Sequence, residues 1–215
     1  MEADALGDPE PVLIDVPEEL DGPRVRLRPL RADDAPAVWE AIEESRAHLA
    51  PWVSWVHDLH SLDDERATIA RLRARWVLRE SLTVGIFDRA TGRYLGGSGL
   101  HRIDWSVRAF EIGYWIRVTA EGRGYVAETV RVLAGFAFEA LGANRVEIRT
   151  EVGNARSRKV AEILGFVCEG TLRRARIDRE GGVTDTVVYA LIPEDYARLP
   201  WRSTPPPGGT ARGPG

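Results

Sequence analysis

Apolar and polar residues change period several times along this chain, and each change marks an element. Val25-Arg26-Leu27-Arg28 alternates apolar and charged positions, as a strand with one buried face does. Asp33 or Asp34 then stands where a helix cap belongs, ahead of a helix running towards Leu49. Ser61 followed by Asp64 resembles a capping box, and Ile69, Leu72 and Trp76 recur behind it at helical spacing. Residues 83–88, 94–101 and 109–117 have the pattern of three antiparallel strands, the first two joined by a glycine-bearing turn and the last two through residues 104–108.

A second helix–strand alternation follows. Val126, Val130, Leu133, Ala137 and Leu141 mark an amphipathic helix that stops at Gly142. Val146, Ile148, Thr150 and Val152 share one face of a strand over 145–152. A short helix after Asn154 carries Val160, Ile163 and Leu164 and ends at Gly165, and residues 166–172 and 184–192 supply two more strands around the polar turn REGG. The order predicts a mixed α/β fold: one domain over 23–202, with a central mixed, mostly antiparallel sheet of about seven strands flanked by helices. Residues 1–22 are rich in Glu, Asp and Pro and are expected to be a flexible arm, and residues 203–215 (STPPPGGTARGPG) a disordered tail.

Composition narrows the classes. With 215 residues, 44% hydrophobic and 29% charged, the chain has the balance of a globular protein that needs no disulfide or metal staple. Cys168 is the only cysteine, and His48, His57, His60 and His101 form no metal-spaced pair with acidic neighbours, so no metal site is expected. A net charge of −4 disfavours nucleic acid as a partner. The chain has no apolar run of membrane-spanning length and no signal-peptide pattern, so no membrane partner is expected and the cytoplasm is the expected location. Lys159 is the only lysine among many arginines, a bias attributed to genome composition.

The chemistry concentrates in Ile112 to Thr129, IGYWIRVTAEGRGYVAET, where a strand leads through Glu121-Gly122-Arg123-Gly124 into a helix. Gly122 and Gly124 let the backbone approach a ligand and take positive φ, and the helix start offers free N–H groups and a positive dipole end to a pyrophosphate, with Arg123 adding charge. The letters Gly122, Gly124 and Ala127 also match the dinucleotide fingerprint G-x-G-x-x-A. That assignment is disfavoured, because the motif follows an antiparallel meander and the next strand alternates Arg and Glu with apolar residues, unlike a strand buried on both faces. The second constellation is Asn154 to Val160, NARSRKV, closed by Leu164-Gly165-Phe166. Alone, Asn154 is a helix cap and Ser157 a solvated hydroxyl.

Together the two stretches resemble the GNAT superfamily of N-acetyltransferases, in its RimJ/RimL-like branch of ribosomal-protein alanine N-acetyltransferases. The residues that carry the resemblance are Glu111-Ile112-Gly113-Tyr114-Trp115-Ile116, Glu121-Gly122-Arg123-Gly124-Tyr125, Asn154, Ser157 and Leu164-Gly165-Phe166, within a match over about residues 24–193; the segment from His48 to Val56 adds to it. Glu121, where the family usually has Gln or Arg, and Val126, where it has Gly or Ala, depart from the pattern.

The resemblance implies acetyl-CoA as cofactor, held by Ile116, Arg117, Val118, Gly122, Arg123, Gly124, Tyr125, Asn154, Ser157 and Lys159, and direct attack of an amine on its thioester. Val118-Thr119-Ala120 would pair with the pantetheine amides in strand fashion, and an N–H near residues 116–118 would meet the oxyanion. Ser157 would assist the departing thiolate, while Cys168 lacks the partners that activate a nucleophile. Strand periodicity makes Glu111 the candidate base, since it shares a face with Gly113, Trp115 and Arg117, opposite Phe110, Ile112, Tyr114 and Ile116. Trp52 and Trp55, with Trp115, are candidates to floor an acceptor site; packing of the first helix is the competing role for Trp52 and Trp55. The acceptor is expected to be a peptide N-terminal α-amine, with a small-molecule amine or a non-catalytic acetyl-CoA-binding module as alternatives, and a homodimer is an option the family offers.

Overall fold

The computed structural model describes residues 10–177 and 181–203. Eight strands form one sheet: β1 (Leu20–Asp21), β2 (Val25–Arg28), β3 (Leu82–Asp88), β4 (Tyr94–Asp104), β5 (Ala109–Ile116), β6 (Arg145–Glu151), β7 (Val167–Ile177) and β8 (Val183–Leu191). Their spatial order is β1-β2-β3-β4-β5-β6-β8-β7, and every neighbouring pair is antiparallel except β5 with β6. Among the described residues five α-helices accompany them: α1 (Ala35–Leu49), α2 (Leu62–Val77), α3 (Tyr125–Glu139), α4 (Ala155–Ile163) and α5 (Pro193–Ala197).

Alternation along the strands sorts the core into two layers. Val84, Ile86, Leu100, Phe110 and Ile112 meet Val130, Leu133, Ala134 and Ala137 of α3 on one face. Phe87, Tyr94 and Trp115 meet Val38 and Ile42 of α1 and Ile69 of α2 on the other. A fully buried Leu133 or Ile112 contributes roughly 2 kcal/mol through the apolar surface it removes from water.

Several caps act as the sequence predicts. Ser61 Oγ accepts the amide of Asp64 at 3.1 Å, and Asn154 Oδ1 accepts that of Ser157 at 3.1 Å. Asp34 differs: its carboxylate takes the Arg31 amide and a two-pronged ion pair from Arg28, and a 3-10 turn over Ala32–Asp34 leads into α1.

The sheet has one strand more than expected, because residues 10–22 are not loose throughout. β1 pairs with β2, Val16 is buried in the α3-side core, and Arg79 Nε holds the carbonyl of Ile14 at 3.1 Å. Alternation cannot reveal a two-residue strand among Glu and Pro. β4 and β7 run longer than predicted, β4 past a register shift after His101, and β6 ends at Glu151, leaving Val152 exposed. Residues 1–9, most of the 203–215 tail and part of the REGG turn lie outside the described residues.

One irregularity positions everything below. β5 and β6 pair only over Ala109–Glu111 and Arg145–Glu147, although both strands continue several residues further. Beyond Glu111 they part, opening a wedge in the middle of the sheet.

Candidate active site

A cavity of about 1120 Å³ is lined from both faces of the sheet around this wedge. On the α3 and α4 side its wall includes Gly122, Gly124, Tyr125, Asn154, Ser157 and Lys159; on the α1 and α2 side it includes Trp52, Trp55, Tyr94, His101, Glu111 and Trp115. The two sequence constellations therefore border one space.

The loop before α3 is shaped for an anion. Gly122 and Gly124 have φ of 69° and 80°, a region that disfavours side chains, and open space lies where a Cβ of Gly122 would stand. Among the described residues, the amides of 122–127 donate to no backbone carbonyl, and the first turn of α3 faces the cavity through Tyr125, Val126 and Ala127. The Glu121 carboxylate, which also lines the cavity, is held by His48 Nε2 at 2.5 Å and Arg156 Nη1 at 3.1 Å. Arg123 is exposed and its side chain does not line the cavity; its carbonyl accepts from Arg24 Nη1 at 3.0 Å.

Two cofactor-side expectations need correction. Arg117 is buried and turned away, its guanidinium ion-paired with Glu44 and with Glu40 at 2.8 Å. The pairing holds the Glu44 carboxyl down at about 2. Val118–Ala120 is a 3-10 turn, not an extended segment, and its amides are spent: Val118 N–H donates to Ser45 Oγ at 3.0 Å and Thr119 N–H to Glu44 Oε1 at 3.3 Å. Arg117 N–H is also engaged, by the Leu95 carbonyl at 2.7 Å. Since strand amides alternate edges and that of Arg117 points at β4, those of Tyr114 and Ile116 point into the wedge.

Glu111 sits at the last paired rung, at the apex of the wedge. Its Oε2 is buried without a hydrogen bond, with Arg102 Nε at 3.5 Å and Arg149 Nε at 3.7 Å. Burial raises its pKa; the arginines oppose the shift without cancelling it. Across the ladder from Glu111 stands His101, pushed down to about 4 by burial and hydrogen-bonded through Nδ1 to Ser81 Oγ at 3.0 Å. Gly113 beside it has no Cβ to crowd the His101 ring.

On the opposite wall, Tyr114 Oη lies 3.0 Å from Ser157 Oγ. Burial pushes the phenol up to about 12 against the lowering effect of that hydrogen bond, so it stays protonated. Strand periodicity had given Tyr114 only a packing role. Its spacing to Ser157, 43 residues away, left no signal to connect them. Trp55 packs on Trp115 at 5.7 Å between ring centroids, and Trp115 on Tyr94 at 5.9 Å; Trp52, Trp55 and Trp115 all line the cavity, and Trp55 and Trp115 also pack against the α1–α2 core layer. The carbonyl of Trp52 accepts from Arg176 Nη2 at 3.3 Å. Among the described residues no cluster of His, Cys, Asp and Glu is suited to a metal ion, and no helix is long and apolar enough to cross a membrane.

The acetyltransferase (GNAT) domain family matches residues 24–167. The chain belongs to that family. It is an acyltransferase, as its relatives are. One relative, "Putative ribosomal N-acetyltransferase YdaF" of Bacillus subtilis (strain 168), is 33% identical over 174 residues, 80% of this chain and 93% of its own. The ribosomal-protein-serine acetyltransferase of Escherichia coli (strain K12) is 25% identical, over 72% of this chain and 85% of its own. Among solved structures, Mycobacterium smegmatis RimJ in complex with CoA-disulfide superposes with a TM-score of 0.75 at 25% identity, covering 87% of this chain and 92% of that one.

Proposed function

We propose that this GNAT enzyme transfers the acetyl group of acetyl-CoA to a primary amine, foremost a peptide N-terminal α-amine. The observation that carries the proposal is the single cavity joining the anion-shaped loop at Gly122 and Gly124 to the Glu111 carboxylate through the β5–β6 wedge. Relatives named for ribosomal proteins, and a solved relative holding CoA, support the same direction. On this account the enzyme works in the cytoplasm, where ribosomal and newly made N-termini are found.

The free amides of 122–127 and the dipole of α3 would hold the diphosphate, with Lys159 and the Asn154 turn along the other wall. Acetyl-CoA, when bound, supplies the activated acetyl thioester. Glu111, its pKa raised by burial, accepts the proton that the attacking amine loses, directly or through water. An α-amine, with an ordinary pKa of about 7.7–8.0, is partly neutral at physiological pH and suits so weak a base better than a lysine side chain. The Ile116 N–H points at the wedge where negative charge on the carbonyl oxygen would develop. Tyr114, paired with Ser157, supplies the proton that the departing sulfur takes up. Cys168 is exposed and does not line the cavity, which agrees with transfer in one step.

The test is release of free CoA thiol from acetyl-CoA with panels of peptides and small amines. Free α-amine peptides are expected to be the best acceptors, and peptides blocked at the N-terminus to give no release. Preference for small amines would move the assignment to that acceptor class. No release with any amine would overturn it.

A further inference from the structure

Glu65 occupies a position that the helix pattern reserves for an apolar residue. It shares a stripe with Ile69, Leu72 and Trp76 on α2, is only 3% exposed, and lines the α1–α2 chamber of the cavity. Among the described residues its carboxylate makes no hydrogen bond and no ion pair. Arg71 acts on it only at a distance, and Arg75 lines the same cavity without pairing with it. A carboxyl group kept in such a place without a partner inside the protein is available to one from outside.

Its surroundings indicate the charge of that partner. Tyr94, Trp55 and Trp115 form a chain of ring contacts along the chamber wall. The Tyr94 phenol, raised first by burial and next by the charge of Glu65, lines the same cavity as that carboxylate. Aromatic walls around a buried carboxylate favour a cation, through the ring faces and the counter-charge together. Glu111 and Trp115 lie four residues apart on one face of β5, about 13 Å at strand spacing, so the chamber lies beyond the reacting amine, not at it.

We propose that Glu65 and its aromatic neighbours form an acceptor subsite for a second positive charge, so that acceptors carrying a cation remote from the reacting amine are preferred. This inference rests on the acceptor side of the cavity being the one assigned above. The cation could belong to a basic side chain near a peptide N-terminus or to the far end of a diamine, and the experiment separates these sources.

Initial rates are measured with two matched pairs: a peptide with lysine against norleucine at the second residue, and 1,4-diaminobutane against butylamine. The intact enzyme is expected to prefer the dicationic member of at least one pair by about 10- to 100-fold in kcat/KM, mainly through KM, as a charge-assisted contact would give. In Glu65→Gln that ratio is expected to collapse towards one, and in Glu65→Asp to recover in part. The pair that shows the preference identifies the source. Equal rates within both pairs for the intact enzyme, or a ratio that survives Glu65→Gln while both rates fall together, would overturn the subsite. Quenching of tryptophan fluorescence by each dicationic acceptor provides a readout independent of turnover. Saturable quenching in the intact protein that Glu65→Gln abolishes supports the subsite even if no amine is acetylated; the same quenching in both proteins, or none in either, rejects it.

Discussion

Removing the charge of Glu65 should stabilise the fold, and only above a particular pH. Burial lifts this carboxyl from 4.5 to about 7 in the folded protein. Below pH 4.5 the group is protonated in both folded and unfolded chains, so its ionisation contributes nothing to the balance. Between 4.5 and about 7 the unfolded chain releases a proton that the folded chain keeps, and stability falls as pH rises. Above about 7 the penalty is complete. The displacement corresponds to roughly 3 kcal/mol, reduced to about 2 kcal/mol where water reaches the carboxyl from the cavity. The Glu65→Gln amide carries its own burial cost, but that cost is independent of pH. Thermal melts of the two proteins from about pH 4.5 to 8.5 should therefore show the difference in Tm shifting in favour of the variant by about 4–8 °C across that range, given about 2–4 °C per kcal/mol for a domain of this size. A Tm difference that stays flat with pH would refute the buried, unpaired carboxylate. A confirmed gain, beside a lost acceptor preference, would identify Glu65 as a residue at which stability is traded for recognition.

Other expectations concern the wedge. Glu111→Gln should lower kcat by about 10²- to 10⁴-fold near neutral pH and by much less at high pH, where the amine loses its proton unaided; a loss equal at all pH values removes Glu111 as base. Wild-type kcat/KM should rise with pH as the Glu111 carboxyl, held above its ordinary range, ionises. Tyr114→Phe should reduce kcat by about 10²-fold while CoA affinity by calorimetry stays within about threefold, and Ser157→Ala should do the same more weakly. Unchanged turnover in both would leave that pair a packing contact. Gly122→Val places a branched side chain at φ 69° and fills open space in front of the loop, so CoA affinity should fall at least about tenfold; retained affinity would show that the loop does not hold the cofactor.

Much of this arrangement was legible in the chain. Strand alternation set Glu111 and Trp115 on one face, the glycines of 121–124 foretold a loop opening into a helix, and Asn154 announced its cap. Those features are local, and local sequence encodes them. The fate of Arg117 was not local: periodicity placed it on the same face as Glu111, but Glu40 and Glu44 of α1, more than seventy residues earlier, claim its guanidinium. The same helix takes the amides after β5, so the segment read as extended is a turn. Glu65 escaped notice for the opposite reason. Its stripe was visible at Ile69, Leu72 and Trp76, but a charged residue one turn earlier looks like the solvated start of a helix until the chamber behind it is seen. Tyr114 combined both difficulties, being an apolar-face strand residue whose hydroxyl meets a partner from α4.

The central claim is that one cavity grips the diphosphate at the glycine loop and delivers the thioester to the wedge. A crystal structure of the protein with CoA tests it most directly. The account predicts the diphosphate against the amides of residues 122–127 and the sulfur beside Tyr114 and Ser157. CoA bound elsewhere, or with its sulfur directed away from the space between β5 and β6, would contradict it.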